Sequence, residues 1–213
     1  MANSYDTGRL NLPFVGIATF GKRAYVEDWS KINADVAVMG APYDFGTQFR
    51  AGARFGPRAV REASTLFSFG HAGAYDHEDD CTYLPESVRI VDIGDADIVH
   101  TNTARSHANI CTGVKAMLAA GALPIVIGGD HSVNIPIIEA FEGQGDIHIL
   151  QIDAHADLRD SFEGFAWSHA SIFHNVMTRL PGVGKLVQVG IRDVGSREVE
   201  FIERSKGRVK CFY

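Results

Sequence analysis

Cysteine is scarce: the 213 residues contain three, Cys81, Cys111 and Cys211. The number is odd and no pair stands at C-x-x-C spacing, so the chain carries neither a disulfide framework nor a cysteine metal clip. They read as small apolar fillers, and a reducing cytoplasm is the expected setting. Long apolar runs are missing as well. The longest, 35–41 and 123–127, fall far short of the ~18 residues of a membrane span. Residues 1–13 lack a basic stretch leading into an apolar block, which reads as no signal peptide. Positive charge is in deficit: 20 Lys and Arg stand against 26 Asp and Glu, a net charge of −6. No basic stripe is present, and a nucleic-acid partner is not expected. There is no internal repeat, low-complexity tract or Pro/Ser linker. With 46 % apolar and 22 % charged residues, composition is that of an ordinary globular chain, which excludes global disorder.

What is present is a rhythm. Val- and Ile-rich runs at 35–40, 88–93, 123–128, 147–153, 185–191 and 209–213 read as strands. Several are continuous rather than alternating, which suits strands covered on both faces. Helical patterns lie between them at 57–66, 101–120, 134–141, 170–180 and 196–204, with Gly121 placed to end the second. Strand followed by helix, repeated about five times, predicts an α/β fold with a mostly parallel sheet. We expect one domain over 1–213, with an irregular arm over about 1–31. A polar loop at 70–85 holds His71 and His77, read as surface residues rather than parts of a site entrance.

Chemistry concentrates where strands end. Asp153-Ala154-His155-Ala156-Asp157 closes the run at 147–153. In open α/β sheets ligands bind beyond the carboxyl ends of strands. Residues i and i+2 of an extended chain share a face, so Asp153 and His155 point together, and Asp157 curls back as the chain leaves the strand. Two carboxylates and an imidazole suit a divalent cation, with Mn²⁺ favoured by the oxygens and Zn²⁺, Fe²⁺ or Ni²⁺ admitted by the nitrogen. The alternative is a polar loop pairing with its own backbone. Gly128-Gly129-Asp130-His131-Ser132 follows the run at 123–128 and opens a helix. Here the competing readings are a tight turn with an Asp N-cap and an exposed His131, or a ligand at a second strand end. Ser168-His169-Ala170-Ser171 comes next; His169 is a candidate proton carrier, or an ordinary structural histidine. Asp160 and Glu163 read as solvated loop charges, with support of a ligand as the alternative.

Together these segments resemble the ureohydrolase family, which includes arginase, agmatinase, guanidinobutyrase and formimidoylglutamase. The resemblance runs from about Asp35 to Asp193. Gly40-Ala41-Pro42-Tyr43-Asp44, Gly46-Thr47 and Arg50-Ala51-Gly52-Ala53-Arg54-Phe55-Gly56-Pro57 look like the family's N-terminal signature. Gly-Gly-Asp-His-Ser and Asp-Ala-His-Ala-Asp look like its first two metal motifs, and Gly190-Ile191-Arg192 like its following strand end. The resemblance implies a three-layer αβα sandwich on a parallel sheet of eight strands, and a centre of two Mn²⁺ ions. His131, Asp153 and Asp157 would hold one ion. Asp153 and His155 would hold the other, with Asp153 bridging. His169 would match the proton carrier. Two ions ~3.5–4 Å apart generate hydroxide at neutral pH. That hydroxide would attack the guanidinium carbon, and urea and an amine would leave.

The family's later Asp-x-Asp metal motif and its guanidinium-clamping acid have no counterpart in the 213 residues. The expectation is therefore a chain lacking the family's C-terminal portion and inactive alone. Ser168-His169 before a small residue is closer to agmatinases, while Ala170-Ser171 in place of their Gly-Thr leaves room for guanidinobutyrate or guanidinopropionate. Agmatine-like amines rank first as substrate. The competing classes are a non-catalytic family member and a deacetylase-like hydrolase with one zinc. Assembly as a homo-oligomer, a trimer or hexamer, is implied by the resemblance alone; no membrane partner is expected.

Overall fold

The computed structural model describes residues 12–67 and 73–213. In chain order the elements are β1 (Ala24–Tyr25), β2 (Val36–Ala41), α1 (Gly56–Ser64), β3 (Ala74–Asp76), β4 (Cys81–Tyr83), β5 (Ile90–Asp95) and α2 (Thr103–Ala119). They continue with β6 (Leu123–Gly128), α3 (Asn134–Glu139), β7 (Ile147–Ile152), α4 (Ile172–Arg179), β8 (Val183–Val189), α5 (Ser196–Arg204) and β9 (Val209–Phe212). Every strand and helix expected from the apolar rhythm is present, its ends shifted by a residue or two. The α/β class with parallel pairing is what the structure has.

The chain divides into two compact units. The first comprises Met1–Pro42, Arg54–Ala96 and Gly113–Gly128. Its parallel sheet runs in the order β1-β5-β2-β6. Ala37, Val38 and Met39 of β2 and Val91 and Ile93 of β5 are buried with Val114 and Met117 of α2. Gly40 has a steric reason: a Cβ there would lie 1.9 Å from Asp95 Oδ1. Arg61 of α1 is buried and grips the sheet through Asp92, with Nε 2.7 Å from Oδ2 and Nη2 3.0 Å from Oδ1. Two local expectations change. Ala24–Tyr25, inside the expected arm, pair with β5. The 70–85 segment contains the hairpin β3–β4, where Tyr75 opposes Thr82 and the Tyr75 and Tyr83 hydroxyls donate to Asp80 and Asp79. Aromatic and β-branched residues favour strand even in a polar stretch. His77 is exposed beside that hairpin; His71 lies outside the described residues.

The second unit comprises Tyr43–Ala53, Asp97–Thr112 and Gly129–Tyr213. Its parallel sheet has the order β7-β8-β9. One face is buried by α3 and α4 through Ile135, Ile172, Phe173, Val176 and Met177, packed with Leu186, Val183 and Val209 of the sheet. The opposite face is not covered: Leu150 is 64 % and Ile152 80 % exposed. In β7, then, the continuous apolar run 147–152 resolves into an inward and an outward set rather than two covered faces. The described strands thus form two parallel sheets and a hairpin, where the resemblance implies one sheet of eight.

Candidate metal centre

All the residues singled out for metal or proton chemistry fall in the second unit. His131 sits in a 3₁₀ turn, His131–Val133, that leads into α3. Asp130 is the N-cap, its carboxylate accepting the Ser132 N–H at 2.8 Å and the Gly46 N–H at 3.1 Å. Its own N–H donates to the Tyr43 carbonyl at 2.7 Å. Of the turn reading of Gly-Gly-Asp-His, the Asp cap is present and the exposed His131 is not. Asp130 caps the turn, and the cap aims His131 inward rather than leaving it on the surface. Tyr43 and Gly46, from the N-terminal signature, act by holding Asp130.

Asp153 follows β7 directly, and the chain from Asp153 to Asp157 bends over the strand end. His131 Nδ1 lies 2.7 Å from Asp157 Oδ2 and 3.3 Å from Asp153 Oδ2. The other Asp153 oxygen, Oδ1, lies 3.3 Å from His155 Nδ1. The two oxygens of one carboxylate thus face two different imidazoles. One donor atom each from His131, Asp153 and Asp157 come within 4.8 Å of one another, close enough to share a cation. Asp157 reaches this position with φ of +52°, in the left-handed region that Asp tolerates at a cost. The donor set, imidazole with two carboxylates, fits a divalent ion of the Mn²⁺ or Zn²⁺ kind.

The electrostatics follow from the crowding. Burial works against a charged His131, but its hydrogen bond to Asp157 and the charges of Asp157, Asp153 and Asp130 outweigh it and raise the imidazole above its ordinary value. Burial, aided by the Asp153 charge, pushes the Asp157 carboxyl up despite His131. Burial also opposes ionisation of Asp153; the His155 N–H, the His131 charge and the Gln151 amide reverse the balance and hold it below the usual carboxylate range. Two acids with environments pushing in opposite directions are what like charges at close quarters produce. A divalent cation placed among them would relieve that repulsion.

A cavity of about 290 Å³ is lined by His131, Asp153, His155, Asp157 and His169, with Arg159, Phe162, Asp193 and Glu198. His169 Nδ1 is 3.5 Å from Ser168 Oγ. Asp160 and Glu163 are exposed, as solvated loop charges would be. Glu198 and Asp193 were not singled out from sequence. Glu198 is buried and takes two backbone donors, Leu158 N–H at 2.9 Å and Gly195 N–H at 2.7 Å. The signal was available: an acid three residues beyond Gly195 at a helix start has capping-box spacing. A second cavity, about 470 Å³, shares Phe162 and is walled by Phe45, His100 and Phe165. Glu163 is the carboxylate on its wall, and no Lys or Arg lines it among the described residues.

Similarity to known proteins runs over most of the chain. The model of the Arginase family matches residues 34–212. The guanidinobutyrase of Pseudomonas aeruginosa is 31 % identical over 191 residues, 88 % of this chain and 58 % of that protein. The agmatinase of Bacillus anthracis is 33 % identical over 169 residues, 79 % of this chain and 56 % of that one. The crystallised proclavaminate amidino hydrolase of Streptomyces clavuligerus superposes with a TM-score of 0.77 at 28 % identity, covering 93 % of this chain and 64 % of its own. The chain thus spans less than two thirds of the relatives it matches.

Proposed function

This chain belongs to the arginase family, and from that premise we propose that it hydrolyses a guanidino compound with an amine tail, agmatine or a close analogue, to urea and an amine. The observation that supports the reading most is Asp153, whose Oδ2 faces His131 and whose Oδ1 faces His155. On this reading His131, Asp153 and Asp157 would hold one Mn²⁺, and Asp153 with His155 would hold a second. When bound, two such ions supply a nucleophile of hydroxide strength at neutral pH, which a resonance-stabilised guanidinium requires. Asp153 keeps its negative charge across the working pH range, because its surroundings hold it ionised. Asp157, buried and rotated into place by a left-handed backbone, fixes the position of His131. His169 delivers a proton to the departing amine. Its Nδ1 lies 3.5 Å from Ser168 Oγ, and the ring lines the same cavity as Asp153 and His155. Phe162, on the wall of both cavities, separates the reacting end of the substrate from its tail.

The tail reading draws on the second cavity. Aromatic walls and one carboxylate, Glu163, suit an alkylammonium group; among the described residues no Lys or Arg there would meet a carboxylate tail. Kinship to a guanidinobutyrase favours a guanidino acid as the second reading. Urea release with Mn²⁺ from agmatine, 4-guanidinobutanoate and arginine, assayed on a chain of the relatives' full length, separates them; the 213 residues alone are expected to release little or no urea. The expected order puts agmatine first in kcat/KM. A preference for 4-guanidinobutanoate selects the second reading, and a preference for arginine overturns both. Metal analysis gives a parallel check: two manganese per full-length chain support this chemistry, one zinc points to a deacetylase-like hydrolase, and none to a binding role. The reading includes a cytoplasmic homo-oligomer, whose size sedimentation measures.

A further inference from the structure

The inward face of the β7-β8-β9 sheet is built in rows. Ile149 pairs with Leu186, and Leu186 with Val209, an apolar row of the expected kind. The next row toward the loop is Gln151, Gln188 and Cys211, again in register across the three strands. Gln188 is completely buried and Gln151 is 5 % exposed. A row of buried amides in an apolar face demands a reason, because each unpaired amide there costs about 1–3 kcal/mol.

The hydrogen bonds give the reason. Gln188 Nε2 donates to Gln151 Oε1 at 2.5 Å and to the Ala156 carbonyl at 2.7 Å. Gln151 Nε2 donates to the His155 carbonyl at 3.0 Å, and its amide also supports the Asp153 carboxylate. Cys211 Sγ, at the far end, donates to Gln188 Oε1 at 2.7 Å. Both Gln188 amide hydrogens are thereby used and its oxygen is engaged, so the side chain has one rotamer and one amide orientation. The row ends on the carbonyls of His155 and Ala156, two consecutive peptide groups between Asp153 and Asp157. An apolar row would satisfy the sheet equally well. It would leave those two carbonyls without donors, with the loop held through the Ala154 carbonyl, which accepts from the Arg192 and Asp193 N–H groups, and the Ala156 N–H, which donates to the Asp193 carbonyl.

We propose that Gln151, Gln188 and Cys211 form a positioning row that sets the backbone of the Asp153–Asp157 loop, and through it the direction of the His155 imidazole and the Asp153 carboxylate. The three residues touch neither substrate nor cation; they act through the loop. The inference rests on the proposed metal centre for its consequence, though the hold on the loop stands apart from any ion.

The test uses the whole 213-residue chain with Gln188→Met, which keeps length and volume and removes both donors. Amide hydrogen exchange is measured first, without metal. The expected result is exchange at His155 and Ala156 at least 10-fold faster than in the parent, with the β8 amides unchanged. Mn²⁺ titration, followed by electron spin resonance of the free ion, is then expected to show an affinity about 10-fold weaker, the size typical of lost support behind a ligand. Equal exchange at His155 and Ala156 in parent and variant overturns the positioning row. Faster exchange in a chain whose parent binds no Mn²⁺ overturns the metal reading and leaves the row standing. Should Gln188→Met fail to fold, Gln151→Met, which removes the His155 contact, the support of Asp153 and the acceptor for Gln188 but leaves the Ala156 contact, is read in the same way. Cys211→Ala, which removes only the outer donor, is expected to accelerate the same two amides less than either glutamine variant; acceleration confined to β9 would overturn its place in the row.

Discussion

His107 is a buried titratable residue that takes no part in the proposed chemistry. It is 4 % exposed, wedged between Tyr43 and Trp167 at ring distances of 5.3 Å each, and neither ring nitrogen has a hydrogen-bond partner among the described residues. Burial pulls its pKa from the ordinary 6.5 down to about 4. The folded chain therefore binds fewer protons there than the unfolded chain between those values, and stability rises with pH across that window. The contribution is fully present above pH 6.5 and is lost as pH falls toward 4, about 3 kcal/mol in all. Denaturant melts of His107→Phe against the parent are expected to converge in this sense: the variant loses less stability than the parent between pH 6.5 and 4. A difference constant with pH would exclude the assignment. At the site itself, Asp153→Asn is expected to weaken Mn²⁺ binding by at least ~100-fold in a calorimetric titration, because one oxygen that faces each imidazole loses its charge. A fall of twofold or less would leave Asp153 outside the metal centre.

Among the elements, two helices are fastened by single side chains, one to a loop and one to a sheet. The start of α5 is tied to the metal-site loop by Glu198, which satisfies both Gly195 N–H and Leu158 N–H. Glu198→Ala leaves those two donors unpaired and is expected to destabilise by about 1–3 kcal/mol in thermal or denaturant unfolding. Glu198→Gln, which keeps an acceptor oxygen, is expected to recover part of it. In the first unit, α1 is held by Arg61 on Asp92, whose side chain is 1 % exposed. Arg61→Met strands a buried carboxylate and is expected to cost about 3–5 kcal/mol. A double change that also replaces Asp92 by Asn should lose less than the single one, since the uncompensated charge is gone. The helices themselves were legible: α2 ends where Gly121 adopts φ of +72°, and α5 is charged outward with Phe201 and Ile202 against the core. The hairpin β3–β4 was not, because its Tyr and Thr residues are interleaved with acids that read as a loop.

For the molecule as a whole, the uncovered sheet face is the feature with a measurable consequence. Leu150, Ile152 and Phe212 are 64, 80 and 46 % exposed on strands at the two edges of one three-stranded sheet. Exposed apolar side chains on unpaired edge strands favour association with further strands or copies. Light scattering of the isolated chain is expected to rise with concentration, and Ile152→Lys is expected to suppress that rise without lowering the unfolding midpoint. Concentration-independent scattering of the parent would show the face to be tolerated in water.

The sequence by itself determined the order and kind of elements, because apolar period and glycine placement are local. It also put His131, Asp153, His155 and Asp157 at or just beyond strand ends, and His169 ahead of a helix, because glycine placement and the alternation of side chains along a strand are local too. Only the tertiary structure decided that Asp130 caps while its neighbour turns inward, since that depends on Gly46 and Tyr43, far back in the chain. It alone decided that Gln151, Gln188 and Cys211 stand in one row. Register between strands is set by packing across a whole sheet, and no residue of the three carries that information alone.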